Sequence, residues 1–143
     1  MHQSVQNLKY IEDEINLNKN KSTTLIAVSK TFSIIDIKPL LQYGHIHYGE
    51  NKVQEAFEKW KDVRNEFKNI KLHLIGKLQT NKVKQAVIIF DYIHSLNSVK
   101  LADKISSEQK KINKNLKIFI QINIGNEAQK NGIQIDELDT FYN

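Results

Sequence analysis

The stretch KLHLIGKLQTNKVKQAVIIFDYIHSL, residues 71–96, contains two predicted strands with a predicted helix between them. Its two ends, KLHLIG (71–76) and DYIHSL (91–96), are short apolar runs of the kind that form buried strands. Residues 80–89, between the two runs, are predicted to form a helix. Strands that alternate with helices in this way indicate a parallel sheet with the helices packed outside it.

The alternation continues toward the N-terminus. TLIAVSK (24–30) predicts a first strand, and IHYG (46–49) predicts a short second strand. The segment 51–67 predicts an amphipathic helix, because its large apolar residues recur on one helical stripe. These residues are Val53, Ala56, Phe57, Trp60, Val63 and Phe67.

Another helix is predicted between the first two strands, with two candidate starting points. Ser33 or Asp36 can cap its first turn, and Gly44 can close its C-terminal end after Leu41. Pro39 favours the later start, at Asp36, because proline is tolerated only in the first turn of a helix.

The alternation also continues toward the C-terminus. Ser98 can cap a further helix, LKIFIQINI (116–124) predicts the strongest strand, and residues 133–142 predict a last helix. The whole pattern is an initial helix followed by five βα units. We therefore expect residues 1–143 to form one α/β domain built on a parallel sheet.

The strand at residues 116–124 also predicts which side chains face inward. The four isoleucines between residues 118 and 124 share one face, which is expected to meet the helices. Gln121 and Asn123 then point into the interior of the sheet, and Asn123 lies nearest the carboxyl ends of the strands. Because α/β proteins bind their ligands at these ends, Asn123 is a candidate ligand contact.

The composition excludes several classes of site. The chain has no cysteine, which excludes disulfides, cysteine-ligated zinc, iron–sulfur clusters and thiol nucleophiles. No apolar run approaches the roughly 18 residues of a membrane span, and the first residues lack the apolar core of a signal peptide. We therefore expect a cytoplasmic protein without a membrane partner.

The net charge of +5 invites a nucleic-acid interpretation, which the choice of basic residue weakens. Arg64 is the only arginine among 21 basic residues, although arginine is the usual residue for bidentate recognition of phosphates and bases. A lysine-rich surface without a specific nucleic-acid partner is therefore favoured. A basic binding or scaffold module stays open as the alternative.

Lys30 ends the first predicted strand, in AVSKT (27–31). A lysine at the end of an apolar strand is expected to be partly desolvated, which lowers its pKa and favours the neutral amine. A neutral amine is what Schiff-base chemistry with an aldehyde requires. The alternative is a solvated surface lysine, and position alone favours that alternative.

Other polar residues recur at the same end of the predicted sheet. Asn51 follows the second strand, where it can contact a ligand or cap the next helix, and Gln79 and Asn81 have the same two alternatives. His73 and His94 lie within strands, where a hydrogen-bonded core role is more common than acid–base chemistry. The histidines lack the i,i+3 or i,i+4 spacing of metal ligands, so a metal site is not favoured.

Four segments in this order resemble the pyridoxal phosphate homeostasis proteins, the YggS/PROSC family. They are AVSKT (27–31), GENKVQEA (49–56), HLIGKLQTNK (73–82) and QINIGNEAQKNG (121–132). Each segment alone is a weak signal, but the four in order, with a lysine ending the first strand, are specific. The resemblance runs from about residue 8 to the end of the sequence.

The resemblance implies a (β/α)8 barrel of the alanine racemase N-terminal type, in which Lys30 holds pyridoxal 5′-phosphate as a Schiff base. Asn51 and His73 match family positions that line the same pocket, and Lys130 matches a family lysine beyond the fifth strand. Members are regarded as carriers and regulators of the vitamin B6 cofactor, without established catalysis, so their partners would be apo-enzymes that need it. A vestigial racemase-like enzyme is the weaker alternative.

The sequence departs from the family in length. A (β/α)8 barrel has eight βα units in about 250 residues, whereas five units are predicted here. We therefore expect an incomplete barrel that lacks its C-terminal strands and the phosphate-binding groups that follow strands seven and eight. Weakened cofactor binding, and association with a separate C-terminal half or with a second copy, are the corresponding expectations.

Overall fold

The computed structural model describes residues 1–18, 22–125, 127–128 and 130–143. Five strands form the main sheet: β1 (Ala27–Val28), β2 (His47–Glu50), β3 (Lys71–Leu74), β4 (Tyr92–Leu96) and β5 (Lys117–Ile120). The helices are α1 (Gln3–Leu17), α2 (Ile34–Tyr43), α3 (Val53–Trp60), α4 (Val63–Glu66), α5 (Val83–Ile89), α6 (Val99–Lys111) and α7 (Leu138–Tyr142). Two further short strands, β6 (Ile122–Asn123) and β7 (Ile133–Gln134), pair with each other.

The main sheet is parallel throughout, and its strands follow one another in the order of the chain, from β1 to β5. The residues of one register row are Val28, Gly49, His73, Tyr92 and Lys117. The parallel α/β architecture predicted from the alternating pattern is therefore confirmed. It is the partial barrel of a (β/α) fold, with successive strands laid side by side.

The hydrophobic core lies between the sheet and the helices. Leu72, Leu74 and Ile93 leave the strands on this side, and each has no exposed surface. Trp60 and Phe90 meet them from the helical layer and are also fully buried. Burying such a side chain stabilises the fold by about 1.5–3 kcal/mol relative to leaving it exposed, so this layer supplies most of the stabilisation.

The opposite side of the sheet, called the inner face below, carries aromatic and imidazole side chains. His47, His73, Tyr92, His94 and Phe119 alternate along their strands with the core residues. Tyr92 stacks on His73 and Phe119 stacks on His94, whereas the His47 ring makes tilted and edge contacts. The inner face is more open than the core, since 51% of Phe119 is exposed. The period-two alternation of the strands therefore separates an apolar layer from a polar, aromatic one.

Helix α2 begins earlier than Pro39 suggested. Ser33 is the cap and forms a reciprocal capping box with Asp36, and Pro39 lies inside the helix. The helix ends at Gly44, whose φ of 97° is favourable for glycine. The expectation of a start at Asp36 is therefore wrong, because the two caps and the burial of the apolar face offset the hydrogen bond that proline cannot make.

Two other predicted elements are divided in the structure. The helix expected over residues 51–67 is split into α3 and α4 by a turn at residues 61–62. The strand expected over residues 116–124 changes partner at Gln121, whose N–H donates to Leu96 O (2.8 Å) while its carbonyl accepts from Ile133 N (2.9 Å). The helix predicted over residues 133–142 is accordingly shorter in the structure. Residues 133–134 form β7, because Ile133 pairs with β6, and α7 begins at Leu138.

The change of partner at Gln121 also limits the expected alternation of faces. Ile118 and Ile120 pack against the helix-side core, as expected. Ile124 lies beyond the strand and is 82% exposed, so the common face of the four isoleucines does not extend to it. Among the described residues, no helix is both long enough and apolar enough to cross a bilayer.

Candidate functional site

Lys30 lies in a turn at the carboxyl end of β1. Ser29 continues the parallel pairing, since its N–H donates to Gly49 O at 2.9 Å, and Phe32 N then closes the turn on Ser29 O at 3.2 Å. Thr31 adopts a left-handed conformation with φ of 66°. Lys30 is exposed in this turn, so the partial desolvation expected from the sequence is absent. Its amine is open to a ligand from solvent.

A buried polar group, called the Glu50 cluster, holds the backbone next to Lys30. Glu50 is 1% exposed, and its Oε1 accepts hydrogen bonds from Ser29 Oγ (2.7 Å), Lys59 Nζ (2.8 Å) and Trp60 Nε1 (3.0 Å). Lys59 Nζ also donates to Ser29 O at 2.8 Å. The cluster therefore ties the end of β1 to β2 and to α3. Charge-assisted bonds of this kind are stronger than neutral ones.

Asn51 lies at the carboxyl end of β2, two residues beyond Gly49 in the register row, just as Lys30 lies two residues beyond Val28. Lys52, and not Asn51, occupies the N-cap position of α3, so the capping alternative for Asn51 is wrong. The Asn51 side chain is half-buried and makes no hydrogen bond to another residue of the described ranges. Its amide is therefore available to a ligand.

A cavity of about 310 Å³ opens beside Asn51 at the same end of the sheet. Its polar lining consists of lysines and amides: Asn51, Lys52, Gln54, Lys77, Gln79 and Lys82. Gln79 precedes a short 3-10 helix but makes no side-chain cap, and Asn81 is exposed within that helix. The cavity lining carries positive charge without a carboxylate, so it attracts anionic ligands.

Gly76 is required by the close approach of two loops at this end of the sheet. A Cβ at Gly76 would lie 2.3 Å from Asn51 O and 2.9 Å from Asn51 Cα, closer than atoms can pack. Because both contacts are with backbone, no side-chain rotation relieves them. Only glycine at residue 76 therefore allows the Asn51 backbone to lie this close.

Replacing Gly76 with alanine should lower the free energy of unfolding by about 2–3 kcal/mol, because the loop of Asn51 must move to admit the methyl group. Urea denaturation measures this change. Gly125→Ala is the matched control, since its Cβ would meet only the flexible end of the Glu127 side chain at 3.3 Å. Equal stability of the two variants would contradict the close approach.

Three histidines form a continuous hydrogen-bonded row, called the histidine chain below, across the inner face. His73 on β3 is 3% exposed; its Nε2 lies 2.9 Å from His47 Nδ1 on β2, and its Nδ1 lies 2.9 Å from His94 Nε2 on β4. The His73 ring stacks on Tyr92 with centroids 4.1 Å apart, and the His94 ring stacks on Phe119 at 4.5 Å. Both nitrogens of His73 are thus occupied.

Burial keeps the histidine chain neutral near pH 7. It lowers the pKa of His73 to about 4, and the neighbouring rings of His94 and His47 add to the effect. Burial also lowers the pKa values of His47 and His94. Each N···N hydrogen bond then holds one proton between two neutral rings, and the tautomers of the three histidines are linked.

The residue spacing within each strand does not predict this chain. It predicts His73 and His94 as separate strand residues and gives no role to His47. The available signal was that each of three consecutive strands carries a histidine on the face opposite its core residues. Among the described residues, no group of three or more His, Cys, Asp or Glu has the arrangement of a metal site.

Asn123 is the last residue of β6, and its side chain contacts the loop that follows. It is 5% exposed, and its Nδ2 donates to Glu127 O (2.6 Å) while its Oδ1 accepts from Glu127 N (3.3 Å). Its amide is therefore used to hold the loop after β6, and a contact with a ligand stays a prediction that this geometry does not favour. Lys130, in the same loop, is exposed and forms an ion pair with Glu127 at 3.2 Å.

The chain is similar to known proteins along nearly its whole length. The family described as alanine racemase, N-terminal domain, matches residues 5–143. The pyridoxal phosphate homeostasis protein of Haemophilus influenzae is 40% identical over 142 residues, which cover 94% of this chain and 60% of that protein. The chain thus spans about 60% of the length of the curated relatives it matches.

Solved structures give the same result. PipY of Synechococcus elongatus without pyridoxal phosphate superposes with a TM-score of 0.79 at 33% identity, over 90% of this chain and 60% of that one. PipY with pyridoxal phosphate bound superposes with a TM-score of 0.71 at 31% identity, over 87% of this chain and 61% of that one. Both comparisons confirm the barrel-type fold.

Proposed function

Because the chain belongs to the family of the alanine racemase N-terminal domain, we propose that it binds pyridoxal 5′-phosphate and serves in homeostasis of this cofactor. The similarity to PipY, which has been solved with pyridoxal phosphate bound, and to the homeostasis proteins supports the ligand. The observation that carries the proposal is the position of Lys30: an exposed amine in a turn that the buried Glu50 cluster holds in place.

The described residues fit such a ligand. Lys30 offers an amine that can form a Schiff base with the aldehyde, which is the chemistry that this cofactor supplies when bound. Asn51 offers a free amide at the same level of the sheet. Because Gly76 has no side chain, its loop can lie directly against the Asn51 backbone. The lysines of the adjacent cavity supply positive charge toward a phosphate group.

We infer a carrier or regulatory role in place of catalytic turnover, with apo-enzymes that need the cofactor as partners. The relatives carry the name of homeostasis proteins, which supports this role. His73, with both ring nitrogens in hydrogen bonds to other histidines, has no free nitrogen to act as a direct acid or base on a ligand. Any contact that His73 makes with a ligand is therefore that of a neutral ring of the inner face.

Lys30→Ala should abolish the visible absorbance band that the protein acquires with pyridoxal phosphate, because the band requires the Schiff base. Borohydride reduction followed by peptide mapping should place the adduct of the unmodified protein on Lys30. Lys100→Ala is the matched control, since Lys100 is exposed at the start of α6 and does not line the cavity beside Asn51, and it should keep the band. Adducts spread over many lysines would contradict the proposal.

A further inference from the structure

We propose that the histidine chain is a one-proton relay across the inner face, leading from the amino end of the sheet to the level of Lys30. The chain joins three adjacent strands through two N···N contacts of 2.9 Å, from His47 through His73 to His94. Each contact is within normal hydrogen-bond length, and His73 uses both of its nitrogens. The row of donors and acceptors is therefore unbroken.

The number of protons that the chain can hold follows from its hydrogen bonds. Three neutral imidazoles carry three N–H protons, and each of the two N···N contacts must contain one of them. The third proton sits on one of the outer nitrogens, His47 Nε2 or His94 Nδ1. The neutral chain thus has two arrangements of opposite direction. One more proton fills the second outer nitrogen, and a further proton would break a contact.

The two arrangements are interconverted by moving one proton through the chain. A proton binds at His47 Nε2, and the proton on His47 Nδ1 passes to His73 Nε2. The proton on His73 Nδ1 then passes to His94 Nε2, and the proton on His94 Nδ1 is released. One proton enters and one leaves, each ring is neutral again, and all three tautomers are reversed. The reverse sequence moves a proton in the other direction.

The two ends of the histidine chain lie in different surroundings. His47 lines a cavity of about 450 Å³ at the amino end of the sheet, together with the carboxylate of Glu12. His94 lies two residues beyond Tyr92, and Lys30 lies two residues beyond Val28, which belongs to the same register row as Tyr92. The histidine chain therefore extends from this cavity, at the amino end of the sheet, to the register level of Lys30 near the carboxyl end.

Charged groups of the neighbouring strands face the chain and influence its protonation. Lys71 and Lys117 disfavour a proton on His47, and His45 acts in the same direction. Asp91 favours a proton on both His47 and His73. The Tyr92 ring, stacked on His73, has Lys117 Nζ at 5.3 Å from its centroid. Burial outweighs these charges, so the resting chain is neutral and able to transmit a proton.

The use of this relay, though not its existence, rests on the proposed function. An ammonium group must lose a proton before it can attack an aldehyde, so Lys30 requires a proton acceptor. The histidine chain offers a path to the cavity beside His47 from His94, which lies at that level on β4, three strands across the sheet from Lys30. Solvent on the open inner face would carry the proton between Lys30 and His94. The histidine chain would then set the rate of cofactor attachment without changing the final amount attached.

Nitrogen-15 NMR of the histidine rings tests the relay in the protein without cofactor. At about pH 7.5, both nitrogens of His73 should show averaged shifts between the protonated and unprotonated values, with coupling across both N···N contacts. On acidification the three rings should take up a single proton together. A fixed single tautomer for His73, or independent titration of the three rings, would overturn the proposal.

A kinetic measurement then tests its use. His47→Gln can keep a hydrogen bond to His73 but cannot pass a proton, so the Schiff-base band should form about tenfold or more slowly and reach the same final absorbance. His2→Asn removes a histidine outside the chain while keeping a helix cap, and its rate should be unchanged. An unaltered rate in His47→Gln would overturn this use. Absence of any band in the unmodified protein would refute the proposed function and leave the NMR result to decide the relay.

Discussion

Replacing Glu50 with alanine should lower the free energy of unfolding by about 3–5 kcal/mol, because it removes the acceptor of a buried cluster. Glu50 is 1% exposed, Trp60 is fully buried and the Lys59 side chain is 14% exposed. Without the carboxylate, the Trp60 N–H is left buried without its acceptor, and the Lys59 ammonium keeps only Ser29 O and loses its counter-charge. The turn that carries Lys30 also loses the contact between Glu50 and Ser29.

Two variants separate this effect from a general loss of charge. Glu50→Gln keeps a side-chain oxygen and should lose less stability, since only the charge of Lys59 is then uncompensated. Glu55→Ala removes an exposed ion pair with Lys52, whose side chains are 50% and 73% exposed, and should cost less than about 1 kcal/mol. Urea denaturation measures all three. A loss in Glu50→Ala no greater than in Glu55→Ala would show that the cluster does not stabilise the fold.

Acidification from about pH 6.5 to pH 4 should destabilise the fold by about 3 kcal/mol through His73 alone. The folded protein lowers the pKa of His73 to about 4, whereas the unfolded chain keeps a value near 6.5. Between these values the unfolded state binds more protons, so stability is present at neutral pH and is lost as the pH falls. The lowered pKa values of His47 and His94 act in the same direction.

Urea denaturation at several pH values between about 7.5 and 4.5 measures this dependence. The range stays at or above the ordinary pKa of glutamate, so the carboxylate of Glu108, whose pKa its lysine partners hold at about 2, contributes little to the change. His73→Asn should reduce the slope, because the most strongly shifted group is gone. A stability that is constant over this range would contradict the burial of neutral histidines.

The alternation of strands and helices could be predicted from the sequence because the spacing of apolar residues that marks each strand or helix lies within a single short segment. The apolar run at 71–76 and the cap at Ser98 depend only on neighbouring residues, and both are found in the structure. The turn at residues 61–62 and the change of partner at Gln121 could not be predicted. Such features depend on contacts between segments that are distant in the sequence. At Gln121, for example, the backbone carbonyl accepts a hydrogen bond from Ile133 N.

The candidate site was predictable in part for the same reason. Lys30 and Asn51 end predicted strands, and the structure brings them to the same level of the sheet. The solvent exposure of Lys30, the use of the Asn123 amide by its own loop and the histidine chain were not predictable. Each depends on the register between strands or on the path of a loop, which the spacing of residues in one segment does not contain.

The order of strands in the sheet has a consequence for biosynthesis. Each strand pairs with the one before it in the chain, so every new strand can dock as it leaves the ribosome, onto an edge that already exists. The two links of the histidine chain span 26 and 21 residues, and the second forms only when β4 is added. In the nascent protein the turn of Lys30 and the Glu50 cluster, which need only β1, β2 and α3, can therefore form before the histidine chain is complete.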